Sequence, residues 1–260
     1  MSNRIDEVEK HYKPVEVFNT LTTVFFYGSV LLSLAVPVLM DLVDKSIFQY
    51  ATIVFVILVV LHSFTQNIIT FYLLPRAEIE RRKQLLSNSL GVPLTHSQTN
   101  EYYNNEREYG LERLSANLME NSFFGKNICL AMLKSERIKV TVYAVLLLST
   151  LLSRDADLGV IIALTQIFFA GGILFNWVKL EILRVKNERV YDSLYKLHLT
   201  QQETMNSNEV ATLLDIFAEY ECAKSSASIK LSSKVFNELN ESLTEEWNSI
   251  KSAIGLQVKC

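Results

Sequence analysis

The chain has 260 residues, of which 49% are hydrophobic and 20% are charged, and its formal net charge is -3. This nearly neutral balance excludes bulk electrostatic attraction to nucleic acid or anionic lipid as the basis of its function. Because many residues are apolar although a fifth are charged, the apolar residues must lie in blocks, which is typical of a membrane protein. The first sixteen residues alternate in charge and lack an apolar core, so we expect no cleavable signal peptide.

Two long uncharged runs predict the first pair of membrane helices. Residues 17–40 contain no formal charge, and residues 46–75 are interrupted only by His62. About 20 apolar residues suffice to cross a hydrocarbon core of about 30 Å. Only residues 41–45 join the two runs, so the two helices are expected to be antiparallel neighbours.

The pattern changes to a charged helix after Pro75. Residues 76–90 are helical in pattern, and Gly91 and Pro93 are expected to end that helix. We expect Gly125 to break a second helix before another one leads into the membrane. Leucines recur at helical spacing in this second helix, at Leu111, Leu114 and Leu118.

A second pair of membrane helices is predicted from two shorter runs. Residues 140–153 offer only 14 uncharged positions, about 21 Å of helix, whereas residues 158–178 offer 21. A 14-residue run by itself fits a buried soluble helix. Its short connection to the longer run favours a membrane span whose flanking Lys139 and Arg154 reach the headgroups. We therefore predict four spans in two hairpins, and the alternative is three spans with one interfacial helix.

The placement of Lys and Arg predicts the orientation. Four follow the second predicted span, four precede the third and four follow the fourth, whereas each hairpin connection holds one. Because the cytoplasmic side retains positive residues, we expect both termini and the central segment in the cytosol. The predicted fold class is an all-α membrane protein with a cytosolic helical bundle. Its predicted parts are an N-terminal segment with the first hairpin (1–75), a cytosolic helical segment (76–137), the second hairpin (138–180) and C-terminal cytosolic helices (181–260).

The C-terminal part continues the helical pattern to Leu199, and Thr200 with Glu203 predicts a capping box for the next helix. Two amphipathic segments follow, at residues 209–224 and 234–254. Their apolar faces must be buried either against the central segment or against another subunit. We expect the protein to form homo-oligomers.

The sequence contains none of the motifs H-E-x-x-H, G-x-S-x-G, G-x-G-x-x-G or G-x-x-x-x-G-K-[ST], and its histidines and cysteines lack metal-ligand spacing. We therefore predict neither an enzyme nor a bound cofactor or metal. The two long spans and the fourth contain no Asp, Glu, Lys or Arg, which argues against an ion-coupled transporter. Their uncharged polar residues either form interhelical hydrogen bonds or line a pore between subunits. The candidate pore-lining residues are His62, Gln66, Asn67, Gln166 and Asn176.

Residues 100–127 combine tyrosines, asparagines and arginines. In a helix, Tyr103 would lie one turn from Arg107, and Arg113 one turn from Asn117. Aromatic rings stack on bases, asparagine reads base edges and Arg or Lys holds phosphates, so a nucleotide or oligonucleotide ligand fits this composition. Tyrosines packed between helices and arginines paired with glutamates explain the same residues.

A second set of positive residues is expected at the cytosolic face of the membrane. Positive-inside topology accounts for these charges, and an anionic ligand between the helices would use the same ones. Together with the tyrosine-rich stretch they form one list of candidates. The candidate ligand-binding residues are Tyr102, Tyr103, Arg107, Arg113, Asn117, Lys126, Arg137, Lys139, Arg184 and Lys186.

Three short sequences carry a family resemblance. These are Y-Y-N-N at 102–105, R-L-S-A-N at 113–117 and E-N-S-F-F at 120–124. With the two predicted hairpins, they resemble the bacterial four-helix membrane effectors that are encoded beside nucleotidyltransferases in anti-phage systems, of the Hailong type. The resemblance covers roughly residues 15–200.

The resemblance implies a homo-oligomeric ion channel, a tetramer, in the inner membrane. A nucleotide or single-stranded DNA oligomer made by the partner nucleotidyltransferase would control it, and opening would depolarise the infected cell and abort phage growth. A membrane scaffold that recruits a cytosolic partner without conducting ions is the alternative.

Overall fold

A computed structural model describes residues 5–39, 44–96, 99–100, 103, 105, 107–153, 158–165, 172–200 and 204–256. Within these ranges the regular elements are helices and one pair of two-residue strands, which confirms the predicted all-α class. The elements in chain order are β1 (Ile5–Asp6), a 3-10 helix (Val8–His11), α1 (Lys13–Leu39), α2 (Lys45–Ile68), a π-helix (Ile69–Leu73), α3 (Leu74–Leu90), β2 (Thr99–Asn100), α4 (Leu111–Leu152), α5 (Leu158–Thr165), α6 (Ile173–Thr200), α7 (Ser207–Ala227) and α8 (Ser233–Ala253).

These elements form two compact units. The bundle unit contains the described residues of Met1–Tyr12, Leu74–Leu133 and Lys179–Cys260. The hairpin unit contains those of Lys13–Leu73 and Lys134–Val178. Each unit is therefore built from chain segments that are distant in sequence.

The bundle unit has an apolar core to which five helices contribute, α3, α4, α6, α7 and α8. The faces predicted to be buried in the two C-terminal segments are both buried there, against the central segment of the same chain. The rings of Phe123 and Trp247 stack with their centroids 5.9 Å apart. Full burial of each large apolar side chain stabilises a fold by about 1.5 to 3 kcal/mol. The buried core includes Leu114, Leu118, Phe123, Val190, Leu194, Leu213, Ile216, Tyr220, Leu243 and Trp247.

Gly125 does not break a helix, contrary to the prediction. Helix α4 continues through it without interruption. A Cβ atom at this position would lie 2.7 Å from Oδ1 of Asn187 on α6. The glycine therefore permits close approach of two helices within the bundle unit, a role that its sequence context does not distinguish from a helix end.

The predicted capping box at Thr200 and Glu203 is also wrong. Thr200 is the last residue of α6, and its hydroxyl donates a hydrogen bond to the Lys196 carbonyl at 3.2 Å. The cap of α7 is Asn206, whose Oδ1 accepts from the backbone N–H of Glu209 at 3.0 Å. The Glu209 carboxylate accepts from the Asn206 N–H at 2.8 Å, which completes the capping box.

A π-helical turn joins α2 to α3. Pro75 follows it closely and has no N–H to donate to the carbonyl of Phe71, four residues earlier, which lies within this turn. The helix therefore widens locally instead of ending, and Lys45–Leu90 is one long helical segment. Gly91 ends it with φ of 69°, which confirms the predicted helix end.

Helices α1 and α2 of the hairpin unit are antiparallel neighbours, as predicted. The Thr22 hydroxyl donates to the Thr65 hydroxyl at 2.9 Å, and further along, a Cβ at Gly28 would lie 3.2 Å from Leu58. Among the side chains of α1 that the structure describes, the buried ones are Val15, Thr22 and Ser29, which recur every seven positions on one face. Thr22, a member of this face, contacts α2 directly.

Among the described residues, two helical segments are long and apolar enough to cross a membrane, Val8–Ser33 and Lys45–Leu90. They correspond to the first predicted hairpin, whereas the third and fourth spans stay predictions. The fourth was expected as one helix over 158–178. Gly172, however, precedes α6 with φ of 71°, so the helix is not continuous at this residue; residues 166–171 lie outside the described part of the chain.

Candidate functional site

The bundle unit contains a cavity of about 560 Å³. This volume lies within the range of small-molecule sites, about 300 to 1,000 Å³. The lining comes from the N-terminal segment, α3, α4, α6, α7 and the start of α8, so it combines residues that are distant in sequence. Its polar and aromatic members are Glu9, Tyr12, Glu78, Arg81, Tyr103, Asn121, Phe124, Asn187, Tyr220, Lys224, Lys230, Phe236 and Asn237.

One wall of the cavity is an ionic hub formed by Arg81, Glu78, Glu221 and Tyr12. Arg81 donates from Nε to Glu78 at 2.6 Å, and from Nη2 to both carboxylate oxygens of Glu221 at 2.8 Å. Tyr12 donates its hydroxyl hydrogen to the other oxygen of Glu78 at 2.8 Å. The three charged side chains are only 12% to 14% exposed. The hub therefore holds together α3, α7 and the residue that precedes α1.

The hub keeps Glu78 ionised. Burial alone raises the pKa of this carboxyl, but the positive charges of Lys224 and Arg81 and the hydrogen bonds from Arg81 and Tyr12 outweigh burial and lower the pKa to about 2. Burial raises the pKa of Tyr220, so its hydroxyl stays protonated. At neutral pH the wall therefore presents a fixed charge pattern.

Two lysines add positive charge to the cavity. Lys224 is close enough to Glu78 to lower the pKa of that carboxyl, and Nζ of Lys230 lies 5.4 Å from the centroid of the Tyr12 ring. With Arg81 they make three cations in the lining against the carboxylates of Glu9 and Glu78, which leaves one positive charge. Glu221, which pairs with Arg81, is not part of the lining. The inner cavity therefore suits an anionic group.

The uncharged part of the cavity lining consists of aromatic and amide side chains. The rings of Phe124 and Phe236 lie 6.2 Å apart, and Asn121 donates its amide to the Tyr103 hydroxyl at 3.2 Å. Asn187 is 2% exposed, and its amide nitrogen donates to the Leu183 carbonyl at 2.8 Å. Aromatic faces and amide groups together are suited to stacking on, and hydrogen bonding with, a flat heterocycle.

Of the predicted ligand-binding residues, Tyr103 lines the cavity, whereas Tyr102 lies outside the described residues. The expected helical pairing of Tyr103 with Arg107 is wrong, because α4 begins only at Leu111. Arg107 donates from Nε to the Leu256 carbonyl at 3.5 Å. Its contact is therefore with the C-terminal end of the described chain.

Three further candidates in α4 have structural contacts inside the bundle unit. Arg113 donates to the Arg107 carbonyl at 2.6 Å and lies over the Tyr109 ring. Asn117 is fully buried, and its amide donates to the Ser89 hydroxyl at 3.0 Å. Nζ of Lys126 lies 3.8 Å from the centroid of the Tyr191 ring. These contacts favour the interpretation that the arginines, asparagine and lysine support the fold.

The candidates from the predicted membrane face divide between the units. In the bundle unit, Arg184 pairs with Glu188 at 2.8 Å, and Lys186 pairs with Glu219 at 2.9 Å. In the hairpin unit, Lys139 pairs with Glu136 on the same helix, and Arg137 is exposed. These four residues make local surface ion pairs or lie on the surface, and none of them lines the cavity.

The candidate pore-lining residues differ in their surroundings. Nδ1 of His62 lies 3.2 Å from the Thr22 carbonyl, so this ring contacts α1. Asn67 donates its amide to the Ser63 carbonyl of its own helix at 2.9 Å. Gln66 and Asn176 are exposed, and Gln166 lies outside the described residues. The contact of His62 favours an interhelical role for that residue.

Sequence reasoning missed most of the cavity. None of Arg81, Lys224 and Tyr12 was among the ligand-binding residues predicted from the sequence. The pairing of Arg81 with Glu221 joins residues 140 positions apart, which no local pattern reveals. The useful local signal was the stretch of tyrosines, asparagines and phenylalanines at 100–127, of which Tyr103, Asn121 and Phe124 line the cavity.

The described residues contain no group of three or more His, Cys, Asp or Glu side chains that is placed to hold a metal ion. Cys129 is buried, which raises the pKa of its thiol to about 11, and Cys222 is exposed. No protein-family model, curated protein or solved structure matches this chain. Its function therefore has to be inferred from its own side chains.

Proposed function

We propose that this protein is a pore-forming membrane effector of bacterial anti-phage defence, controlled by a nucleotide or a single-stranded DNA oligomer. Four helices cross the inner membrane as two hairpins, and both termini and the bundle unit are cytosolic. A homo-oligomer, a tetramer by the family resemblance, surrounds the pore. A partner nucleotidyltransferase makes the signal, and opening of the pore depolarises the infected cell.

The observation that carries this proposal is the place of the ionic hub in the chain. Tyr12, a member of the hub, directly precedes Lys13, the first residue of α1. Glu78 and Arg81 lie on α3, which continues the helical segment that contains α2. A ligand that rearranges the hub therefore acts on both chain ends of the α1–α2 hairpin.

The cavity has the chemistry for such a ligand. Lys224 and Lys230 supply the cations for a phosphate group, and Phe124 and Phe236 supply aromatic faces for a base. The amide of Asn121 is placed to exchange hydrogen bonds with a heterocycle edge. Lys224 and Lys230 line the cavity, whereas the candidates Arg113 and Lys126 do not, so the two lysines are the better placed phosphate ligands.

Ion flux from liposomes that contain the purified protein tests the proposal. We expect flux that changes on addition of nucleotide or short single-stranded DNA, and Lys224→Ala with Lys230→Ala should abolish this change. Lys234→Ala, at an 86% exposed side chain on α8, is the matched control and should behave like the parent protein. Absence of flux in every condition, together with a stable protein partner in pull-downs, would establish the scaffold alternative instead.

A further inference from the structure

Helix α6 packs into the bundle unit through one regular apolar stripe. The buried positions alternate in steps of three and four residues, which places them on one side of the helix. This stripe accounts for how α6 is held within its own chain. Its members are Leu180, Leu183, Asn187, Val190, Leu194 and Leu197.

A second apolar stripe lies on the opposite side of α6. Its members are Phe175, Val178, Ile182 and Val185, again in steps of three and four, and they are 57%, 38%, 54% and 49% exposed. At about 100° per residue, Ile182 points about 200° away from the buried Leu180. Phe175 and Val178 belong to the hairpin unit and lie in the predicted fourth span, where lipid accounts for their exposure, so Ile182 and Val185 of the bundle unit are the members that need another cover.

Lipid does not account for the exposure of Ile182 and Val185, the two members of this stripe nearer the C-terminus. Lys179, Glu181, Arg184, Lys186 and Glu188 fall within the ten residues around Ile182 and Val185. So many ionisable groups exclude this turn of the helix from the hydrocarbon core. Protein is therefore the chemically suitable cover for the two side chains.

The charges beside the stripe are complementary to a second copy of the same helix. If Ile182 and Val185 take the a and d positions of a heptad, Glu181 is at g and Lys186 is at the following e position. In a parallel pair, g of one helix faces e of the other five residues on, and 181 and 186 have this separation. Two copies would thus form two symmetric Glu181–Lys186 pairs.

We infer that the exposed stripe of α6 is a self-association surface, on which α6 of a second copy of this chain packs in parallel. Copies inserted in one membrane share one orientation, so parallel packing is the arrangement available to them. Lys186 already pairs with Glu219 of its own chain and remains 39% exposed, so a second acceptor can join this pair. The inference rests on the proposed function only for the shared orientation.

The first test changes the apolar positions. Ile182→Glu and Val185→Glu place charges in the proposed contact, and light scattering of the full chain in detergent and in nanodiscs gives its oligomeric mass. We expect the protein concentration at which the oligomer dissociates to be at least about tenfold higher for these variants than for the parent protein. Leu214→Glu, at a 50% exposed site on α7, is the control and should leave the mass unchanged.

A second test exchanges the charges. Glu181→Lys and Lys186→Glu chains should each associate more weakly alone, because like charges then face each other. Mixed together they should form hetero-oligomers, which native mass spectrometry of differently tagged chains counts. This result requires that Glu181 and Lys186 meet across the contact, and therefore separates direct pairing from a change of fold.

Unchanged mass in both Glu variants would overturn the inference, as would random mixing of the charge variants. If Ile182→Glu keeps the mass but weakens binding to phosphatidylglycerol vesicles, lipid covers the stripe and the inference is likewise wrong. These outcomes are independent of the flux experiment. If the Glu variants leave the mass unchanged while nucleotide still alters the flux of the parent protein, this inference fails alone. If the variants dissociate while nucleotide does not alter the flux, the proposed function fails alone.

Discussion

The two units of this protein place their apolar residues in opposite ways. In the bundle unit the largest fully buried side chains include Trp247, Phe123 and several leucines. In the hairpin unit the buried members among the described residues are Val15, Thr22, Ser29, Thr65 and Ile69, of which three are polar. Its large apolar side chains are exposed along α1, α2 and the second half of α4.

This difference is the one expected of two units that fold in different solvents. In water, burial of apolar surface drives folding, and the bundle unit has the corresponding core. Between helices in lipid that driving force is absent, and association depends on close packing and hydrogen bonds, such as the one between Thr22 and Thr65. The hairpin unit has the pattern expected in the second environment, and two helical segments of the chain are long and apolar enough to span a membrane.

The largest expected effect concerns the ionic hub. Arg81→Met leaves Glu78 and Glu221 without the cation between them, and should destabilise the bundle unit by about 4 kcal/mol. Thermal unfolding in detergent measures the loss. Arg189→Met is the control, because Arg189 is 68% exposed and its Nε lies 3.6 Å from Glu219, and it should change stability by less than about 0.5 kcal/mol. Equal effects of both variants would contradict the role of the hub.

Acid should weaken the bundle unit in a defined pH range. The pKa of Glu78 is about 2 in the folded state against an ordinary 4.5, so its stabilising contribution is complete above pH 4.5 and is lost as the pH falls towards 2. The loss should amount to about 3 kcal/mol. Denaturant titrations across this range measure it. Glu78→Gln should flatten the dependence, whereas Glu238→Gln, at a 60% exposed side chain, should retain it.

An exposed site in each unit tests the contrast between the two environments directly. Val56 of α2 and Leu214 of α7 are 52% and 50% exposed. Val56→Arg should oppose membrane insertion by about 3 kcal/mol, because an arginine near the centre of a spanning helix must be buried in lipid. Leu214→Arg should be neutral. Insertion efficiency in a translocon assay distinguishes them, and equal tolerance would show that α2 faces water.

The smallest effect is expected for the hydrogen bond between α1 and α2. Thr22→Val removes the donor to Thr65 and should cost about 0.6 kcal/mol, the typical value for such bonds in membrane proteins. Unfolding in mixed micelles measures the change. Thr23→Val is the neighbouring control, because its hydroxyl bonds to the Asn19 carbonyl of its own helix. A loss of several kcal/mol would mean that the hairpin has a water-facing polar core.

Local signals predicted much of the fold. The helix end at Gly91 and the buried face of α7 through Leu213 and Tyr220 were correct because each depends on nearby residues. Gly125 was misread because a glycine for close helix contact and a glycine for a helix end look alike in sequence. The fourth span as one helix was wrong because Gly172 takes a left-handed conformation before α6.

The candidate site was predicted less well. Of the residues proposed from the tyrosine-rich stretch, Tyr103 lines the cavity. Arg113 and Asn117 instead form hydrogen bonds with other residues of the bundle unit. A sequence pattern shows which side chains are able to bind an anion or a base. It does not show which of them are already used by the fold, since this depends on partners such as Ser89 that approach from elsewhere in the chain.

The sequence by itself determined the helical class and the concentration of apolar residues in two uncharged runs, because helix periodicity and hydropathy are properties of neighbouring residues. Only the tertiary structure decided that the C-terminal helices pack on their own central segment and that Arg81 meets Glu221. It also decided that α6 has one buried apolar stripe and another apolar stripe that is exposed. Pairing between side chains that are distant in sequence depends on how the helices pack, and local periodicity therefore does not predict it.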